Sequence, residues 1–265
     1  MADKVVLSEV DGRGIASVTL NRPEVHNAYD GPLIDQLGAA LETLGRDPAV
    51  RTVILRGRGK HFQAGADLSW LRRLAAAGAA DNAEFSWRTT EAMRQLNALP
   101  KPTLALVQGA CYGGGVGMVA CCDVAIATEG ASFALTEVRW GVVPAPIVPQ
   151  LCAAIGVRQA RRYGLTGERF DADEAWRIGL VHAVCADGDL ETAAAPVIDA
   201  LLQSAPEAVA DSKLLLLEQA GLLLSEQAVR ALAFQAAVKR TSPEAVEGLE
   251  SFQAKRKPAW YPAGK

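Results

Sequence analysis

One acidic residue, Glu137, stands alone in the apolar segment 131–147. Upstream, three consecutive glycines (Gly113, Gly114, Gly115) follow the strand-like apolar run 103–107 and open a helix of small residues. Glycines at a helix start leave backbone N–H groups open to whatever lies above them. A carboxylate carried near such donors makes a proton-transfer device: the donors hold developing negative charge while the acid moves a proton. Other chemistries find less support. The five cysteines (Cys111, Cys121, Cys122, Cys152, Cys185) sit in apolar surroundings without a CxxC or a Cys/His cluster, and read as reduced core thiols. His26, His61 and His182 are far apart in sequence, so no metal site is expected.

The elements that must position these groups follow from periodicity. Residues 5–9 and 15–20 are β-prone runs around Asp11-Gly12-Arg13-Gly14 and predict a hairpin. A polar turn with Pro23 covers 21–28. Leu33, Ile34, Leu37, Leu41 and Leu44 recur at helical spacing and predict an amphipathic helix over 32–46. A strand at 53–55 and a basic loop at 56–60 lead to the segment 61–68. Asp67 is placed to cap a helix over 68–77, and a further helix over 83–99 stops before Pro100. The glycine-rich stretch then supplies strand, helix and a second strand at 124–127. Segments 149–165 and 171–179 read as short helices broken at Gly156, Gly164 and Gly179, before a strand at 181–184. From about residue 190 only helices are predicted, over 192–204, 206–219, 225–239 and 243–255. The pattern is an α/β core with an all-helical tail. Its leucine-rich stretches 214–217 and 222–224 predict burial against the core or another subunit.

Half of the 265 residues are hydrophobic, enough for a large core, and the net charge is −3, which offers no basic field for nucleic acid or an anionic membrane. No apolar run approaches the roughly 20 residues of a membrane span. The start, MADKVVLSEVDG, lacks a targeting pattern, and a cytoplasmic protein is expected.

Three segments together resemble the crotonase (enoyl-CoA hydratase/isomerase) superfamily: Asn21-Arg22-Pro23 with Asn27-Ala28, then 62–68 (FQAGADL), then Gly109 to Gly115 leading into Cys122-Asp123. The match extends through 133–137 (FALTE), Gly141, Pro144, Leu165-Thr166-Gly167, Ala175, Gly179-Leu180-Val181 and 252–257 (FQAKRK), so it spans nearly the whole chain. The resemblance implies an α/β spiral of ββα units of the ClpP/crotonase type over 1–195 and a helical trimerisation module over 196–265. It also implies an acyl-CoA substrate, no cofactor beyond the coenzyme A of the substrate, and a homotrimer or dimer of trimers. The thioester oxygen would be held by the backbone N–H groups of Ala66 and Gly114. Val25, Ala28, Ala64, Asp67 and Leu68 match the coenzyme A contacts, and Phe252 and Lys255 match a C-terminal pair that the family borrows from a neighbouring subunit.

One position departs from the family pattern. Two-carboxylate hydratases place a first Glu where this chain has Gly117, which leaves Glu137 as the one acid. Paired carboxylates divide acid and base work; a single one must take and return the same proton, in a syn elimination or in a shift between carbons. GGGVGMVACCDVAIA, FALTEVRWGVVPAPIVP and GADLSWLRR look most like the bacterial 3-methylglutaconyl-CoA hydratase group, some of whose relatives act on isohexenylglutaconyl-CoA. Such substrates carry a distal carboxylate, for which Arg139 and Arg72 or Arg73 are candidates. Tyr112 and Trp140, with Gly117, are candidates for the acyl pocket. Two other readings stand beside this: an enoyl-CoA isomerase, and a non-catalytic coenzyme A-binding scaffold. A dinucleotide reading of the GxGxxA at 115–120 fails because residues 109–114 separate it from its strand.

Overall fold

Strand residues of the central sheet alternate between two apolar layers, and that alternation sets the architecture. The computed structural model describes residues 4–261. A hairpin of β1 (Val6–Val10) and β2 (Ile15–Leu20) pairs antiparallel, with Val6 opposite Leu20. α1 (Gly31–Arg46) crosses to β3 (Thr52–Gly57), parallel to β2. α2 (Leu68–Ala76) and α3 (Ala79–Asn97) precede β4 (Thr103–Val107). β5 (Ala110–Tyr112) runs into α4 (Gly114–Cys121), β6 (Val124–Thr128) and β7 (Ser132–Ala134). α5 (Val148–Thr166), β8 (Arg169–Asp171), α6 (Ala172–Arg177) and β9 (Ala183–Cys185) follow. α7 (Leu190–Gln203), α8 (Pro206–Gln219), α9 (Glu226–Arg240) and α10 (Pro243–Gln253) end the described chain.

The main sheet has the order β1-β2-β3-β4-β6-β9, parallel except for β1, and β5-β7-β8 form a second, smaller sheet. Val53, Leu55, Ala105, Val107, Ala125 and Ala127 face the larger core with α1 and α3. Their neighbours Ile54, Leu104, Leu106 and Ile126 face Ala194 and Ile198 of α7. Burial on both faces explains why these strands read as unbroken apolar runs.

Three expectations change. The strands β5, β7 and β8 each span three residues, too short for a period-two signal to register. α5 runs through Gly164 and is interrupted only at Gly156, where φ is 72°. The expected boundary between 195 and 196 falls inside α7, which packs beneath the main sheet as part of the core; residues 1–3 and 262–265 of the two expected units lie outside the described residues. What remains of the tail is anchored by Lys213 of α8, which pairs with Asp123 at 2.8 Å beside Thr103.

Candidate active site

The site is built where two glycine turns meet. Gly65 (φ 91°) and Gly113 (φ 51°) adopt backbone conformations that favour glycine, and a Cβ added to Gly113 would lie 3.6 Å from the Cα of Gly65. The residues that follow, Ala66 and Gly114, line one cavity. The Gln63 side chain fixes the first turn by donating to the Gly65 carbonyl and accepting from the Gly65 N–H, both at 2.8 Å. Tyr29 fixes it from the other side: its N–H donates to Gly65 O and its carbonyl accepts from Asp67 N. The N–H groups of Ala66 and Gly114 have no acceptor among the described residues. Gly114 is the first residue of α4, where an unpaired N–H is the rule and the helix dipole adds positive potential.

The segment 21–28 supports these turns rather than reacting. Asn27, fully buried, donates to the carbonyls of Arg58, His61 and Phe62 and accepts from Arg22 N–H. Arg22 reaches Asp30 at 3.2 Å and Asp67 at 3.3 Å. Asp67 also accepts from Trp70 N–H as the cap of α2.

Glu137 opens a single 3-10 turn (Glu137–Trp140) and lies against the second glycine turn: a Cβ on Gly113 would meet its Oε1 at 3.1 Å. The residue as a whole is only half-buried, but Oε2 is inaccessible and has no hydrogen-bond partner. Burial raises its carboxyl to about 7, so it exchanges a proton near neutral pH.

Two spaces that share lining residues lie beside it. An inner cavity of about 80 Å³ is lined by Glu137, Gly114, Tyr29, Ile147, Ser86 and Arg240, among others. An outer groove of about 500 Å³ collects Val25, Ala28, Ala64, Asp67, Leu68 and Phe252. Ala66 and Trp140 border both. Among the described residues Glu137 is the only carboxylate of the inner cavity.

Several candidates stand elsewhere than expected. Gly117 lines neither space, because Ile147 fills the volume its side chain would need: a Cβ there would sit 2.0 Å from Ile147 Cγ2. Tyr112 lines the outer groove, not the acyl cavity, with its hydroxyl 3.4 Å from Ser132 Oγ. Arg139 likewise borders only the groove and donates to the Gly167 carbonyl at 2.9 Å. Arg72 and Arg73 are exposed on α2, with Arg73 over the Trp70 ring, and reach neither space. Lys255 is exposed beyond α10 and borders neither. Phe252, expected from a neighbouring subunit, lies over the groove of its own chain. α10 packs on α2 and on the 137–140 turn, so close that a Cβ on Gly248 would meet Trp140 O at 2.4 Å. The Phe252 ring meets Trp140 edge-on at 5.2 Å.

Two cavity residues carried no signal in the sequence. Tyr29 follows the Asn27-Ala28 turn directly and lays its ring over Gly114. Arg240 ends α9, buried, and borders the cavity.

Known proteins resemble this chain over most of its length. The family described as enoyl-CoA hydratase/isomerase matches residues 11–262. A solved enoyl-CoA hydratase from Shewanella pealeana is 39% identical, with a TM-score of 0.79 over 97% of this chain and 96% of that one. A mevalonyl-coenzyme A hydratase of Beauveria bassiana is 34% identical over 92% of this chain and 90% of its own. A short-chain-enoyl-CoA hydratase of Clostridium acetobutylicum is 33% identical over 78% and 79%.

Proposed function

The chain belongs to the enoyl-CoA hydratase/isomerase family and has the crotonase fold, and from that premise we propose that it reversibly hydrates a branched enoyl-CoA, 3-methylglutaconyl-CoA, to 3-hydroxy-3-methylglutaryl-CoA. The carrying observation is one buried carboxylate, poised near neutral pH, beside two unpaired backbone donors. In hydration, ionised Glu137 takes a proton from water as the water oxygen bonds to C3. The C2=C3 pair moves into the thioester, and the N–H groups of Ala66 and Gly114 hold the enolate oxygen. Protonated Glu137 then delivers that proton to C2. The reverse is a syn elimination through the same enolate. One oxyanion donor is worth about 3–4 kcal/mol of barrier. Val25, Ala28, Ala64, Asp67, Leu68 and Phe252 would flank the coenzyme A moiety, and no other cofactor is required. A relative named for mevalonyl-coenzyme A, a branched thioester, supports the branched acyl group.

A single acid also suits proton transfer between C2 and C4, which keeps enoyl-CoA isomerisation as the second reading; the Ile147 side chain where a second acid would stand favours it equally. We further propose that the chain works as a trimer or a dimer of trimers in the cytoplasm. Leu215 and Leu216 of α8, 58% and 71% exposed, support burial between subunits, which light scattering would test. Steady-state turnover of 3-methylglutaconyl-CoA, crotonyl-CoA and a 3-enoyl-CoA decides the reaction. Hydration with preference for the first supports the proposal. Exclusive isomerisation, or coenzyme A binding without turnover, defeats it.

A further inference from the structure

A cation lies buried in the inner cavity where an alkyl-binding site would have none. Arg240 is 7% exposed and forms no ion pair with any described residue. Its Nη1 donates to Asn82 Oδ1 and to Ser86 Oγ at 3.0 Å, both on α3, and its guanidinium lies 5.5 Å from the Phe85 ring. No hydrogen bond from Nε or Nη2 is made within the described protein. Burial lowers its pKa only to about 10, so the side chain is cationic at neutral pH.

The surrounding wall is polar in the same way. Asn82, Ser86 and Thr89 recur at helical spacing on α3 and are all buried; Ser86 and Thr89 line the cavity. Neutral dipoles compensate a desolvated guanidinium only in part, and its planar fork suits a carboxylate in bidentate contact. The α3 and α9 residues of this wall do not line the outer groove, so they meet the acyl group rather than the coenzyme A.

We propose that Arg240 anchors the distal carboxylate of the acyl chain and so selects ω-carboxyacyl-CoA thioesters over alkyl ones. The assignment deepens the proposed function and rests on it for placing the thioester at Ala66 and Gly114. It replaces Arg139, Arg72 and Arg73 as the anion partner.

Binding of two unreactive thioesters, glutaryl-CoA and butyryl-CoA, tests it by calorimetry on wild type, Arg240→Met and Arg240→Gln. The glutamine variant keeps a polar but uncharged side chain at the position. Wild type binds glutaryl-CoA more tightly than butyryl-CoA. Both variants lose at least about tenfold in glutaryl-CoA affinity and keep butyryl-CoA within about twofold. Retained butyryl-CoA binding shows that the variants fold. Equal weakening for both ligands, or a wild type without preference, overturns the assignment. Crotonyl-CoA and 3-methylglutaconyl-CoA hydration, measured on the same samples, reports separately on the reaction. Carboxylate selectivity without hydration overturns the function and leaves Arg240 standing; hydration indifferent to Arg240 does the reverse.

Discussion

Replacing Glu137 by Gln should remove activity and add stability, and the two effects carry different pH dependences. The carboxyl is raised from 4.5 to about 7 by burial, so the folded state holds its proton more tightly than the unfolded chain. Between those values the folded protein binds more protons than the unfolded one, and stability falls as pH rises. The loss is absent below about pH 4.5 and complete above about pH 7, where it amounts to about 3 kcal/mol. A glutamine matches the protonated acid in shape and has no charge to desolvate. Glu137→Gln therefore equals wild type in stability near pH 4.5 and exceeds it by about 3 kcal/mol at pH 8, a rise in melting temperature of roughly 5–10 °C. Thermal unfolding at fixed protein concentration over that pH range checks this. The reaction requires ionised Glu137 in both directions, so wild-type kcat/KM rises through about pH 7, and the variant loses about 10²–10⁴-fold. A stability difference independent of pH would refute the burial argument. A variant within tenfold of wild type on its best substrate would refute the single-acid mechanism.

Other perturbations follow from the same geometry. Gly117→Glu does not create a two-acid hydratase: the new side chain collides with Ile147, costing about 1–3 kcal/mol, and crotonyl-CoA turnover does not increase. Phe252→Ala removes the edge-on contact with Trp140 and one wall of the groove, raising KM for coenzyme A thioesters roughly fivefold with kcat little changed. Tyr29→Phe lowers kcat without moving the pH profile, because burial holds the phenol neutral well above the working range; a displaced acid limb would show that Tyr29 shares the proton of Glu137. Asp123→Ala strands the buried Lys213, which keeps the Lys101 carbonyl as its partner, and chemical denaturation should read a loss of about 2–3 kcal/mol.

The sequence disclosed the parts of the site that depend on backbone and position. Gly113 to Gly115 and the 62–68 segment read as a carbonyl-binding site, with Glu137 as its acid, through the family resemblance; the glycines alone suit close helix–strand packing equally well. The turn over 21–28 was legible as a turn but not as a brace; that role needs the three carbonyls that Asn27 gathers from 58–62. What stayed hidden depends on which face of a helix turns inward. Arg240 shares α9 with the half-buried Lys239 and the exposed Arg230, and one-dimensional spacing cannot separate a buried cation from solvated ones. Arg139 was a reasonable candidate from its place two residues after Glu137. A 3-10 turn advances about 120° per residue, so that spacing turns its side chain away from the cavity and toward the Gly167 carbonyl. The small sheet β5-β7-β8 was missed for want of length, though it carries the Tyr112 end of the glycine turn.

Gly117, behind Ile147, and Arg240, in the cavity wall, bear on one question. A glycine where the family resemblance implies an acid suggests lost catalysis if read alone. The Ile147 side chain makes it instead a closed position, since a carboxylate there would have neither room nor solvent. Removing that acid also removes a negative charge from the cavity. With two carboxylates present, a third on the substrate would enter a field that opposes it; with one, the opposition is weaker and Arg240 is free to attract. The missing acid and the buried cation thus fit a single requirement, an acyl group that brings its own negative charge. Tyr29 lies within electrostatic reach of both Glu137 and Arg240, with its ring over Gly114. An acyl chain held at Gly114 and Arg240 would run past its hydroxyl, and the proton of Glu137 would be exchanged on carbons between those two anchors.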